Sequence, residues 1–191
     1  MHVEKGGVRL DHTLDLAEIG AVRATVGTGR SAGIASPRWR TVGLTVAEFR
    51  FSKSTRGRMA AAGPGKWCVH VTHVDLRIGF TDQTVYIPRG YPVGGCEYAA
   101  ILEHEQAHVE DNLAVLEGFT QTFQREAHAV ATKLNPMTVT SKRQAREKPL
   151  EKLSRGLAPL VRDFQATQAR YAARRDTREH YAAVSRRCTN W

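Results

Sequence analysis

The sequence predicts an α+β fold in which a small antiparallel sheet is followed by a long antiparallel helical hairpin. Two β-branched runs, residues 68–78 and 84–88, predict neighbouring strands. Two later segments, residues 96–134 and 149–171, place apolar side chains at the three- and four-residue spacing of helices. The 191 residues therefore predict a single domain, mainly β and loop over 1–95 and helical over 96–191.

The first half of the chain divides into strands and connections. Residues 1–30 are weakly patterned, and the Gly- and Ser-containing stretches at 27–29 and 31–33 predict loops. Apolar side chains alternate over residues 41–52, which predicts a strand. The basic, Gly- and Pro-rich residues 53–66 predict an exposed connection, and residues 79–83 predict a turn between the two β-branched strands.

The helical half is bounded by proline. The first helix is expected from about Cys96 to Leu134, because Asn135 precedes Pro136 and a residue before proline avoids the α region. A polar loop is expected over 137–147. The second helix is expected to begin near Pro149, since proline is tolerated in a first turn.

Charge and hydropathy limit the classes of function. The net charge is +9, and residues 142–187 hold thirteen Lys/Arg against five Asp/Glu. Such a basic helix can contact an anionic envelope surface, although a solvated helix face is the simpler interpretation. No sequence-specific nucleic-acid-binding signature accompanies the charge. The sequence also lacks an apolar run long enough for a transmembrane segment.

The stretch His104-Glu105-Gln106-Ala107-His108 carries the clearest chemistry, an HExxH motif within the first predicted helix. Two histidines four residues apart project from one helix face and can bind one zinc ion. The intervening Glu105 can act as general base on a zinc-bound water, as in metallopeptidases of the zincin type. The plainer interpretation is a surface helix with two exposed histidines.

A catalytic zinc requires a third protein ligand. For two antiparallel helices of equal rise, His104 and His108 lie level with residues 178 and 174. Glu179 falls about 60° from the centre of the apolar stripe and Asp176 about 120°, so Glu179 is predicted to bind the metal. A kink before Thr177 would favour Asp176 instead.

Two other carboxylates fit less well. Asp111 is expected to be a partner of a ligand or a surface charge, and Glu126 reaches the site only if the helix breaks near Gly118. Tyr181 is expected either to stabilise a tetrahedral oxyanion or to pack.

Three cysteines allow one disulfide. We expect Cys68 to pair with Cys96 if the chain is exported, which leaves Cys188 free or in an intermolecular bond. The alternative is three free thiols.

Several of these residues resemble a known family. The stretch 95–98 through the HExxH motif, with the preceding residues 85–88, is similar to a bacterial family of unknown function described as zinc-dependent, gluzincin-like proteases. Residues 176–181, followed by Cys188 and Trp191, resemble that family's ending. The resemblance implies a peptidase that is commonly exported, and therefore a periplasmic or secreted protein whose signal peptide lies outside this chain; a cytoplasmic location is the alternative.

The leading hypothesis is a zinc metallopeptidase that hydrolyses peptide bonds, with a strand edge near 84–88 pairing with the substrate. A metal-dependent amidase acting on cell-wall peptides would use the same site. The alternative from another class is a non-catalytic basic helical module that binds an anionic surface or partner.

Overall fold

The computed structural model describes residues 1–26, 42–189 and 191. Over these residues the chain has four helices and five strands, which confirms the α+β class. The helices are α1 (Leu16–Val26), α2 (Cys96–Thr132), α3 (Lys142–Arg175) and α4 (Arg178–Ser185). The strands are β1 (His2–Glu4), β2 (Gly7–Asp11), β3 (Leu44–Ala61), β4 (Trp67–Tyr86) and β5 (Met137–Val139). The loops predicted at 27–29 and 31–33 lie outside the described residues.

Strand β4 is continuous, so the turn predicted at 79–83 is wrong. Gly79 has a φ of 142°, and a Cβ there would lie 1.8 Å from the backbone oxygen of Glu4. The glycine is therefore required by the close approach of β1, and not by a change of chain direction.

The sheet is not the antiparallel one that the sequence predicts. Strands β1 and β2 run parallel to β4, opposite residues 77–79 and 82–86, while β5 pairs with β4 in the antiparallel sense. The two N-terminal strands are only three and five residues long and have mostly exposed side chains, so their sequence carries too short a pattern to predict a strand.

Strand β3 continues to Ala61 and pairs with β4, so the exposed connection predicted over 53–66 is wrong for most of its length. The turn is confined to 62–66, where the Ala62 N–H donates to the Lys66 carbonyl at 2.9 Å. Gly63 and Gly65 have φ values of 113° and 64°, which a residue other than glycine rarely adopts. The last residues of β3 are all exposed, which explains their loop-like composition.

The chain forms two compact units, each assembled from three stretches. Unit 1 comprises Met1–Glu4, Phe49–Gly79 and Leu116–Gln165, and unit 2 comprises Lys5–Glu48, Phe80–Val115 and Ala166–Trp191. In unit 1, Leu153 and Leu157 are fully buried against Leu76, and the rings of Phe123 and Phe164 lie 6.3 Å apart.

In unit 2, the core forms between β4 and the first turns of α2. Val85 and Ile87 pack against Tyr98, Ile101 and Val109. These three α2 residues recur at helical spacing, so their side chains turn one face of the helix inward. The HExxH residues lie between Ile101 and Val109 and are held by this packing.

Helix α3 begins at Lys142, seven residues before the predicted start, and contains both Pro149 and Pro159. The Ser141 hydroxyl accepts from the Gln144 N–H at 3.2 Å and caps the helix start. The predicted polar loop at 137–147 is accordingly wrong, since β5 and the first turn of α3 occupy most of it. None of the described helices is long and apolar enough to cross a membrane.

Candidate metal centre

Two histidines of α2 bring their ring nitrogens together. The Nε2 atoms of His104 and His108 lie 3.3 Å apart. Their side chains are only 4% and 12% exposed. The four-residue spacing places both rings on one face of the helix, as the sequence predicts.

Asp176 completes the group. Its Oδ1 atom lies 3.3 Å from Nε2 of His104 and 3.1 Å from Nε2 of His108. Within the described part of the chain, these three residues are the group whose ligand atoms could hold a metal ion.

The spacing of the three atoms fits a metal ion. Ligands about 2.0–2.2 Å from a tetrahedral zinc lie about 3.3–3.6 Å from one another. Two of the three separations, at 3.3 Å, fall in this range, and the His108–Asp176 separation of 3.1 Å is slightly shorter. The same distances also suit hydrogen bonds, because one carboxylate oxygen can accept from both imidazoles. Two imidazoles and a carboxylate suit several divalent ions, so the group could hold a metal ion and does not select zinc.

Glu179, the predicted third ligand, is exposed in the first turn of α4 and is not brought to this group. The prediction assumed an unbroken helix, whereas α3 ends at Arg175 and α4 begins at Arg178. Thr177 is extended, and its hydroxyl caps α4 by accepting from the His180 N–H at 3.2 Å. The break brings Asp176, the residue that a kink before Thr177 favours, to the two histidines in place of Glu179.

Glu105 lies beside the group and is 4% exposed. The Thr45 hydroxyl lies 2.8 Å from its Oε2 atom. Burial raises the pKa of Glu105 above its ordinary value, against the opposing effects of His108, His104 and the Thr45 hydrogen bond. A buried carboxylate next to two imidazoles is what a general base requires.

The contacts within the group shift the pKa values of Asp176 and His108 in opposite directions. Burial alone would raise the pKa of Asp176, but hydrogen bonds from His104 and His108 hold it well below its ordinary value. Burial alone would lower the pKa of His108, but the Asp176 carboxylate raises it. The charged forms of Asp176 and His108 therefore stabilise each other.

Two residues of α4 border the group. The Tyr181 hydroxyl donates to Oδ1 of Asp176 at 2.9 Å, and burial followed by the Asp176 charge raises the pKa of Tyr181. The ring of His180 lies 5.1 Å from that of His104. Burial, and then His104, lowers the pKa of His180. Tyr181 thus holds the Asp176 oxygen that faces the two histidines.

Asp111 pairs with Arg175 at the end of α3. The Nη2 atom of Arg175 donates to its Oδ1 atom at 2.9 Å, and Nε donates to Oδ2. This bidentate pair fixes Arg175, the residue before Asp176, to α2, and Asp111 itself is not part of the group. Glu126 belongs to unit 1, and α2 runs without a break past Gly118, so the condition for its ligation is not met.

The disulfide joins Cys96 to Cys188, and Cys68 is free, so the predicted Cys68–Cys96 bridge is wrong. The chain after α4 returns to the start of α2, where Val184 and Ala100 pack with Cys188. That proximity depends on the turn at Asp176 and cannot be deduced from cysteine spacing.

Two features depart from what the sequence suggests. The backbone at 84–86 pairs with β2, so β2 occupies one edge of the segment near 84–88 that is predicted to bind the substrate. The buried Nδ1 atom of His104 has no hydrogen-bond partner among the described residues, whereas metal-binding histidines usually donate from their second nitrogen.

Thr45 is the contact that sequence reasoning missed. It lies 60 residues from Glu105 in a strand with no motif of its own, so only the fold brings it to the site.

Comparison of the chain with protein-family models, curated proteins and solved structures found no match.

Proposed function

We propose that this protein is a zinc-dependent metallopeptidase that hydrolyses peptide bonds. His104, His108 and Asp176 bind the metal, and Glu105 is the general base. The observation that carries the proposal is the triangle of two imidazole nitrogens and one carboxylate oxygen, with edges of 3.1–3.3 Å, beside a buried glutamate.

The roles of the residues follow from their positions. When bound, a zinc ion polarises the scissile carbonyl and lowers the pKa of a water molecule toward neutrality. Glu105 takes one proton from the attacking water while the oxygen of that water bonds to the carbonyl carbon. It then gives the proton to the amide nitrogen as the carbon–nitrogen bond breaks. Asp176 neutralises part of the charge at the site and is held by Tyr181.

We infer that the ligands meet because α2 and α3 pair as an antiparallel hairpin, as the sequence suggests. Within unit 2, Asn112 accepts from Gln168 and Asp111 accepts from Arg175, so numbers rise along one helix as they fall along the other. The disulfide supports a further part of the proposal, a periplasmic or secreted location, because disulfides persist in oxidising compartments.

Hydrolysis of casein by the metal-loaded protein tests the proposal. Glu105→Gln preserves the shape of the base but removes its basicity, so we expect activity to fall roughly 10²–10⁴-fold while the metal stays bound. Glu110→Gln is the matched control, since this glutamate is exposed on the same helix. Equal activity in the wild type and Glu105→Gln would contradict the mechanism. Cleavage of cell-wall peptides in the absence of casein hydrolysis would indicate the amidase.

The charge distribution supports a second role, contact with an anionic envelope surface. Unit 1 holds fifteen Lys/Arg against seven Asp/Glu, a net of +8, while unit 2 holds thirteen against twelve. The positive charge is thus concentrated in the unit that lacks the metal group. A chain that binds anionic vesicles but never hydrolyses a peptide or an amide would be the non-catalytic module instead.

A further inference from the structure

The segment that leads into β3 contacts Glu105 directly. The Thr45 hydroxyl lies 2.8 Å from Oε2 of Glu105 and 2.9 Å from the backbone oxygen of the same residue. A hydroxyl has one hydrogen to donate, and a carboxylate is the stronger acceptor of the two. Thr45 therefore donates to the carboxylate whenever Glu105 is ionised.

Gly43 lies against Oε1, the other carboxylate oxygen of Glu105. A Cβ at Gly43 would lie 2.6 Å from Oε1 of Glu105 and 2.6 Å from Cγ2 of Ile101. The glycine is required for space, since it is buried between these two side chains. The Glu105 carboxylate is thus flanked by the Thr45 hydroxyl at one oxygen and by the Gly43 backbone at the other.

The segment is anchored by its neighbours. Val42 packs against the apolar cluster of unit 2 that includes Ile101 and Val109, one on either side of Glu105 along α2. The contacts of Gly43 and Thr45 therefore come from a strand fixed to the same core as the helix that carries the base.

We propose that Thr45 is a positioning residue for the general base, and this rests on the proposed function. Its hydroxyl holds one oxygen of Glu105 so that the carboxylate keeps a single orientation toward the reacting water. A base must lie within hydrogen-bond reach of the proton that it takes, and a small displacement lowers the rate steeply. Loss of the hydroxyl leaves the carboxylate free to rotate and lowers kcat without weakening substrate binding.

The test compares Thr45→Val, which keeps the shape, with Thr45→Ser, which keeps the hydroxyl. In the metal-loaded protein we expect Thr45→Val to lower kcat for casein peptides roughly 10- to 100-fold with KM unchanged. Thr45→Ser should restore most of kcat. Thr81→Val is the matched control, because the Thr81 hydroxyl donates to the carboxylate of Glu48 and not to that of Glu105.

A second measurement does not depend on activity. The infrared bands of the Glu105 carboxylate are located in the difference spectrum between the wild type and Glu105→Gln, and Thr45→Val should shift them to the frequency of a weaker hydrogen bond. Unchanged bands would overturn the proposal, as would a Thr45→Ser variant as slow as Thr45→Val. If the wild type hydrolyses no substrate and Thr45→Val still shifts the carboxylate bands, the proposed function is wrong. The hydrogen bond by which Thr45 positions Glu105 is then confirmed. Thr45→Ala replaces Thr45→Val if the latter does not fold.

Discussion

Glu105 and His104 are buried more deeply than ionisable side chains usually are. An isolated charge in such a position is unstable, so partners must compensate for the lost hydration. Thr45 donates to the glutamate, and Nε2 of each imidazole lies within hydrogen-bond distance of Asp176. Residues that are costly to bury and are nevertheless clustered are what a functional site requires.

The space around Glu105 gives the first prediction. In Gly43→Ala the added methyl group would displace both Glu105 and Ile101. We expect the free energy of unfolding to fall by about 1–3 kcal/mol, the usual cost of overpacking a core. Denaturant unfolding measures it.

Gly118→Ala is the control for that variant. Gly118 lies within α2 and has nothing within 4 Å of the position of a Cβ. The free energy of unfolding should rise by about 0.5–1 kcal/mol, because alanine favours the helix. Equal effects of the two substitutions would show that Gly43 is not packed against the base.

At the scale of elements, the sequence identifies α2 and the HExxH motif because both depend on local spacing. The approach of Asp176 to the two histidines depends on a break of two residues between α3 and α4. Local spacing in the sequence does not reveal this break. An extended Thr177 turns Asp176 toward the histidines and Glu179 toward solvent. The angular argument that favours Glu179 holds only for a continuous helix.

The strands show the same limit of prediction from local sequence patterns. The turn predicted at 79–83 rests on Gly79, whose role depends on β1, a segment more than seventy residues earlier in the chain. The exposed strands β1 and β2 are too short to give a clear apolar alternation, and the exposed end of β3 has the composition of a loop. Alternation reveals strands that bury one face, so these three are not visible in the sequence.

The short helix α4 gives the second prediction. An eight-residue helix is marginal by itself, and the disulfide from Cys96 to Cys188 ties the segment after it to the start of α2. Because the cysteines are separated by 92 residues, Cys188→Ser should lower the free energy of unfolding by about 2–5 kcal/mol. Metal affinity should fall too, since Tyr181 no longer holds Asp176 firmly.

Cys68→Ser is the matched variant, because Cys68 is the free cysteine of the described chain. Unfolding and metal titration of the two variants, with and without a reducing agent, make the comparison. If Cys68→Ser proves the more damaging of the two, the assignment of the disulfide is wrong.

At the scale of the whole molecule, the net charge of +9 lies mostly in unit 1. We expect the protein to bind vesicles that contain phosphatidylglycerol and to be released when the salt concentration rises from about 0.05 to about 0.5 M, since salt screens such contacts. Vesicles of neutral lipid are the control in a sedimentation assay. Equal binding to neutral and anionic vesicles would exclude charge as the cause.

The central claim is that His104, His108 and Asp176 bind one metal ion, and metal analysis of the purified protein tests it most directly. We predict about one metal ion per chain in the wild type, as three such ligands bind zinc firmly. Asp176→Asn should lose most of that metal, whereas Glu179→Gln, three residues further on and exposed, should retain it. Retention by Asp176→Asn together with loss from Glu179→Gln would contradict the assignment. Metal content that is the same in the wild type and in His104→Ala/His108→Ala would contradict the metal centre itself.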